Sequence, residues 1–111
     1  MATTSGYDHV SPPLVANDRG GVQSDIPYRM DLLQHHAILR IAEVTKGGAA
    51  SHGVNNWHRI SVEEHLNHAL AHIFLYLAGD TSEDHLSHAA WRTMSGLDQK
   101  ITGRFEDASR E

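Results

Sequence analysis

Residues 61–92 read SVEEHLNHALAHIFLYLAGDTSEDHLSHAAWR. Ser61 followed three residues later by Glu64 is a capping-box pattern that opens a helix, and Val62, Leu66, Leu70, Ile73 and Leu77 then recur as an apolar stripe at helical spacing. Gly79 ends that helix. A further helix begins near Thr81 or Ser82, with Glu83 and Asp84 suiting the positive end of its dipole, and continues through Leu86, Ala89, Ala90, Thr93, Met94 and Leu97. The link around Gly79, Asp80 and Thr81 is short, so the two helices are expected to lie antiparallel as a hairpin, beside a core made by the leucine stripe.

The same stretch carries an excess of histidine: the chain has 10, and seven fall between His52 and His88. On the first helix His65, His68 and His72 stand at i, i+3 and i+7, and on the second His85, His88 and Arg92 repeat those offsets, so each set lines one stripe. In an antiparallel hairpin, residues at one height have position numbers of nearly constant sum, which pairs His72 with His85, His68 with His88 and His65 with Arg92. Glu64 and Asp84 add carboxylates at either end. Neutral imidazoles with carboxylates bind borderline divalent ions such as Mn2+, and carboxylates alone serve Mg2+. The candidate metal ligands are therefore Glu64, His68, His72, Asp84, His85 and His88. Of these, Glu64, His68 and His88 are the candidates for activating water. The plainer alternative is that the histidines only hydrogen-bond across the hairpin.

Working outward, Leu32, Leu33, Ala37, Ile41 and Val44 also recur at helical spacing, with Asp31 as the expected N-cap and Gly47-Gly48 as the stop. Gly47 to Ile60 is then loop chemistry around one large aromatic, Trp57. Asn55, Asn56 and Trp57 either contact a ligand or make the turn while Trp57 plugs the core, and Glu43 is either a ligand-facing carboxylate or a solvated one. Lys46 and Arg92, with Arg59, are the cations to test for phosphate contact. Residues 1–27 are rich in Ser, Thr, Gly, Pro and Asp and read as a mobile arm, 28–98 as the helical domain, and 99–111 as a tail or a short fourth helix around Ile101 and Phe105. No useful stretch alternates with period two, so the expected class is all-α: a small helical bundle.

A 111-residue chain builds a modest core, which points to a homo-oligomer, a dimer or tetramer, that completes its apolar burial. The formal net charge of −5 and the lack of a Lys/Arg cluster argue against polymeric nucleic acid, although a metal-neutralised nucleotide remains compatible. With no cysteine there is neither a disulfide framework nor a thiolate zinc site. No apolar run is long enough for a bilayer and no signal peptide is apparent, so the expectation is a cytoplasmic protein with no membrane partner.

Taken together, RMDLLQHHAILRIAEV (29–44), GAASHGVNNW (48–57), HLNHALAHIFLYLAGD (65–80) and EDHLSHAAWR (83–92) resemble the phage-encoded dATP/dGTP diphosphohydrolase family, small MazG-like nucleotide pyrophosphohydrolases. The resemblance covers roughly Pro27 to Leu97. It implies an all-helical, oligomeric protein of the host-cell cytosol that removes pyrophosphate from a purine deoxynucleoside triphosphate with Mg2+ or Mn2+. By position, Glu43 matches the acidic end of the family's first helix, Gly48, Gly53, Asn56 and Trp57 match its loop, and His72, Asp80, His85 and His88 match its histidine-bearing helices. Ser51 and His52 stand where the family usually has a lysine and a tyrosine, and Gln34 and His35 stand where it has prolines.

Three functions follow as expectations. The first is hydrolysis, with the Asn55 to Trp57 loop selecting the base and Glu43, Lys46 and Arg92 assisting substrate binding. The second is a protein that sequesters a nucleotide without turnover, motivated by Ser51 and His52. The third is an interaction bundle whose clustered imidazoles respond to pH.

Overall fold

The computed structural model describes residues 13–105, and within them the chain is mainly helical. Its helices are α1 (His35–His52), α2 (Val62–Leu77) and α3 (His85–Thr102), with 3-10 turns at Met30–Leu32 and Asn56–Arg59. The small helical domain expected from periodicity is present. It is preceded by a two-stranded antiparallel ribbon, β1 (Leu14–Ala16) and β2 (Val22–Ser24), that the alternation test did not reveal. Strands of three residues are too short for that test, and what holds them is the turn: Asn17 Oδ1 accepts from the backbone N–H groups of Arg19 and Gly21 at 2.9 and 2.8 Å. The ribbon lies in the segment read as an arm. The first part of that arm, residues 1–12, and the tail at 106–111 lie outside the described residues.

Helix ends decide where the site residues stand. The start of α1 is His35 rather than the neighbourhood of Asp31, whose carboxylate instead pairs with Arg29 at 2.9 Å. Gly47 and Gly48 do not stop α1: a helical glycine costs about 1 kcal/mol against alanine but leaves the hydrogen-bond ladder intact. Termination waits for Gly53, whose φ of 96° supplies the turn and whose N–H reaches the Ala49 carbonyl at 2.9 Å. The capping box at the start of α2 forms as expected, with Glu64 N–H donating to Ser61 Oγ at 3.1 Å and Ser61 N–H donating to Glu64 Oε1 at 3.0 Å. At its other end, Gly79 (φ 88°) makes a Schellman motif: Gly79 N–H reaches the Tyr76 carbonyl and Asp80 N–H the Leu75 carbonyl, each at 3.0 Å. The start of α3 is His85, not Thr81 or Ser82, and its N-cap is Asp84, which accepts from Ser87 N–H at 3.3 Å and Ser87 Oγ at 2.7 Å. At the other end α3 runs through Gly96 and Ile101 to a left-handed Gly103, so the expected short fourth helix is the last turn of α3.

The helices α2 and α3 form the main packed pair, and α1 lies against α3, tied there by Arg40 Nε to Asp84 Oδ2 at 3.3 Å. The core of that hairpin is not the leucine stripe. Ala69 and Ala89 are buried at the seam with His65, His85, Ser95 and Gln99, while Leu70 and Leu77 are 52% and 72% exposed. Small alanines let the helices approach, and the histidine side of each helix turns inward, so the apolar stripe is left on the outside of the chain. Gln99 Nε2 donates to the carbonyls of Trp57 at 2.6 Å and Ile60 at 2.8 Å, which fastens the Asn56–Arg59 turn to α3.

Two substitutions test this packing. A Cβ added at Gly96 would meet the His65 and Val62 side chains at 3.7 Å, an ordinary contact. Gly96→Ala therefore stabilises the fold by about 0.5–1 kcal/mol through helix propensity, whereas Ala69→Leu costs about 1–3 kcal/mol by overpacking the seam; urea unfolding of each variant reads both.

Candidate functional site

Asp80, delivered by the Schellman turn, begins a chain of hydrogen bonds into the hairpin. A carboxylate only accepts, so the buried His85 carries a proton on Nε2 and donates it to Asp80 Oδ2 at 2.5 Å. On its other side, His85 Nδ1 lies 2.9 Å from His72 Nδ1, a hydrogen bond shared between the two rings. His72 also stacks on His88, with ring centroids 5.3 Å apart. The hydrogen bond from His85, then those from Ser82, hold the Asp80 carboxyl below the usual carboxylate range. Burial, then the neighbouring His88, pushes the His72 imidazole below its usual value and so favours the neutral ring that a metal ligand requires.

One ligand atom each from His72, Glu83 and His85 lies within 4.8 Å of the others. Two ring nitrogens 2.9 Å apart match adjacent corners of a site with metal–nitrogen bonds of about 2.1 Å. The donor set, two imidazoles and a carboxylate, suits a borderline divalent ion, with Asp80 orienting His85 from its far nitrogen. These residues fit a metal.

The second arrangement lies nearer the start of α2. His65, fully buried, donates Nε2–H to the Trp57 carbonyl at 3.0 Å, and its Nδ1 accepts from Arg92 at 3.2 Å. Arg92 also lies 5.5 Å from the Trp91 ring centre. Partial burial lowers the Arg92 pKa from its usual value, with Glu64 acting in the opposite sense. Among the described residues no carboxylate forms an ion pair with it.

A cleft of about 540 Å³ opens between the second half of α1, the 53–60 loop and the α2–α3 hairpin, within the range of small-ligand sites. Of the candidates read from sequence, Glu43, Asn56, Trp57, His72, Asp84, His88 and Arg92 all line it. His85 lies buried behind His72. Lys46 lines a shallower groove along α1 with His36 and Glu43, and Asn55 is exposed at the start of the 3-10 turn. Glu64 and His68 are not brought to the cleft: the Glu64 carboxylate serves the capping box, and His68 is exposed on α2. The register argument succeeds for His72–His85 and His65–Arg92, and His88 meets His72 rather than His68. Sequence reasoning did not select Glu83 or His65 as site residues. His65 was within reach, since its register partner Arg92 was already a candidate, whereas Glu83 was read only as a helix-dipole acid. Ser51 and His52 both line the cleft, as does Arg40.

The sign of the pH dependence follows from the buried rings. Burial is the leading cause that sets His65 and His72 below their ordinary pKa, so below about 6.5 the unfolded chain takes up protons that the folded chain refuses. In metal-free buffer, stability by urea unfolding is full above that value and declines as pH falls below it, and His65→Asn flattens the decline. Glu64, Asp80 and Asp84, held below the usual carboxylate range by their hydrogen bonds, add a separate loss below about pH 4.

Comparison with known proteins places the chain in a family. The model described as dATP/dGTP diphosphohydrolase, N-terminal, matches residues 17–109, and the chain belongs to that family. No curated protein and no solved structure matches it.

Proposed function

We propose that this chain hydrolyses dATP or dGTP to the deoxynucleoside monophosphate and pyrophosphate in the cleft beside α1, using Mg2+ or Mn2+ held by His72, Glu83 and His85. The family's name points to a diphosphohydrolase. The observation that supports the finer reading is a His/Glu/His donor group next to a cleft that also holds two tryptophans and, in Arg92, a guanidinium with no carboxylate partner among the described residues. No helix among the described residues is long and apolar enough to cross a membrane.

Each part of the reaction has a residue suited to it. A divalent ion, when bound, supplies Lewis-acid polarisation of phosphate oxygens and a more acidic water. Water attacks the α-phosphorus, the bond from that phosphorus to the bridging oxygen breaks, and pyrophosphate leaves. His88, on the cleft wall and stacked on His72, is placed to accept the proton of the attacking water. Arg92 offers its remaining N–H groups to phosphate oxygens, and Trp57 and Trp91 offer faces to the purine, with the Asn56 amide near its edge. Asp84 ties α1 to α3 through Arg40 and so holds the cleft walls in register.

A second reading rests on Ser51 and His52. They line the cleft at positions where the family resemblance implies a lysine and a tyrosine, and a chain without that cation would bind nucleotide without turning it over.

We also propose a homo-oligomer. Leu66, Leu70, Phe74 and Leu77 on α2, with Leu97 and Ile101 on α3, are among the chain's exposed apolar side chains.

With Mn2+ or Mg2+, purified protein is expected to release pyrophosphate from dATP or dGTP over many turnovers. His88→Ala is expected to lower kcat by about 10²–10⁴-fold, and His72→Ala to lose metal-dependent turnover while remaining folded. Tight binding with no product after long incubation selects the sequestering reading, and neither binding nor product rejects both. In sedimentation, the chain should run larger than 12.3 kDa, and Leu70→Glu with Phe74→Glu should shift it toward the monomer.

A further inference from the structure

We infer that His65 is a positioning residue: its buried imidazole bridges the 53–60 loop and Arg92, and so aims that guanidinium into the cleft as an anion-binding group. The inference rests on the reading of the cleft as a phosphate site.

A buried imidazole is costly unless both nitrogens are used, and a leucine would fill the same seam without that cost. Both nitrogens of His65 are used. Because the Trp57 carbonyl only accepts, Nε2 must carry the proton, which leaves Nδ1 as a lone pair for the Arg92 N–H. The tautomer is thereby fixed by the two partners. A protonated ring would have no acceptor to offer Arg92 and would place two cations in contact, so the bridge exists only with the ring neutral. A further contact holds the ring: Trp91 meets it edge-on at 5.8 Å.

Arg92 is the group that benefits. Half-buried and without a carboxylate partner among the described residues, it makes one hydrogen bond, to His65. A guanidinium has five N–H donors in a rigid plane, so fixing one edge on a neutral acceptor leaves the charge uncancelled and the remaining donors oriented. A carboxylate in the place of His65 would hold the plane as well but would neutralise the charge that a phosphate needs. The same imidazole fastens the Trp57 carbonyl, which also accepts from Gln99. One ring therefore sets two walls of the cleft.

The test separates the two nitrogens. In His65→Asn the amide oxygen falls near the former Nδ1, keeping an acceptor for Arg92. In His65→Gln the amide nitrogen reaches the former Nε2, keeping a donor for Trp57. Binding of inorganic pyrophosphate to the full chain without metal is measured by calorimetry, alongside Arg92→Gln and the double variant His65→Gln/Arg92→Gln. Arg92→Gln and His65→Gln are each expected to weaken binding about ten-fold or more, His65→Asn to stay within a few-fold of the parent, and the double variant to be no weaker than Arg92→Gln. Nitrogen NMR of the parent should give the Nε2–H tautomer for His65. Loss on Arg92→Gln with no loss on His65→Gln overturns the positioning role and leaves the phosphate site standing. Equal loss in His65→Asn and His65→Gln, or the Nδ1–H tautomer, overturns it as well. A parent that does not bind pyrophosphate, or an Arg92→Gln variant that binds as the parent does, overturns the phosphate site and the inference together.

Discussion

The hairpin is organised by the need to satisfy imidazole nitrogens removed from water. In a low-dielectric seam a ring nitrogen without a partner costs free energy comparable to a lost hydrogen bond, so two helices that meet on His65 and His85 are held to the few arrangements that pair both nitrogens of each ring. Asp80, His85 and His72 solve this at the turn end of the hairpin, and Trp57, His65 and Arg92 solve it nearer the other end. Alanines at 69 and 89 keep the backbones close enough for both solutions to exist together. The usual division of labour is thereby inverted: polar groups specify the inner packing of the chain, and leucines are left for its outer faces.

That inversion explains what the sequence reveals and what it hides. The capping box at Ser61 and Glu64, the turn at Gly79 and the pairing of His72 with His85 are legible because each depends on residues close in sequence or on the arithmetic of an antiparallel pair. The leucine stripe misleads because periodicity identifies an apolar face without saying what covers it. Gly47 and Gly48 mislead for a related reason: glycine lowers helix propensity, but only a backbone turned to positive φ ends the helix, and that happens at Gly53. Glu64 illustrates competition between roles, since a carboxylate engaged by Ser61 N–H and Oγ is already committed to the helix end.

The cleft was partly readable for the same reasons. Seven of the residues selected from sequence line it, drawn from α1, the loop, α2 and α3. His65 and Glu83 were not selected, because their contributions depend on atoms rather than spacing: which ring nitrogen holds a proton, and which carboxylate oxygen comes within reach of two rings. The His72–Glu83–His85 group and the Arg92 bridge occupy different heights of one seam, so under the proposed function a triphosphate's charge would be met at two points by different means, a held ion and an aimed side chain.

The turn at 78–84 acts as a ruler for this seam. Its Schellman bonds fix where α2 stops, and Asp80 then reaches His85, so contacts local in sequence set the phase of α3 about its own axis. One residue more or less in that connector would rotate α3 by about 100° and would carry His85 and Arg92 off the seam in the same stroke. Seven residues between the helices thus encode the alignment of both ends of the cleft, and length there is as constrained as chemistry.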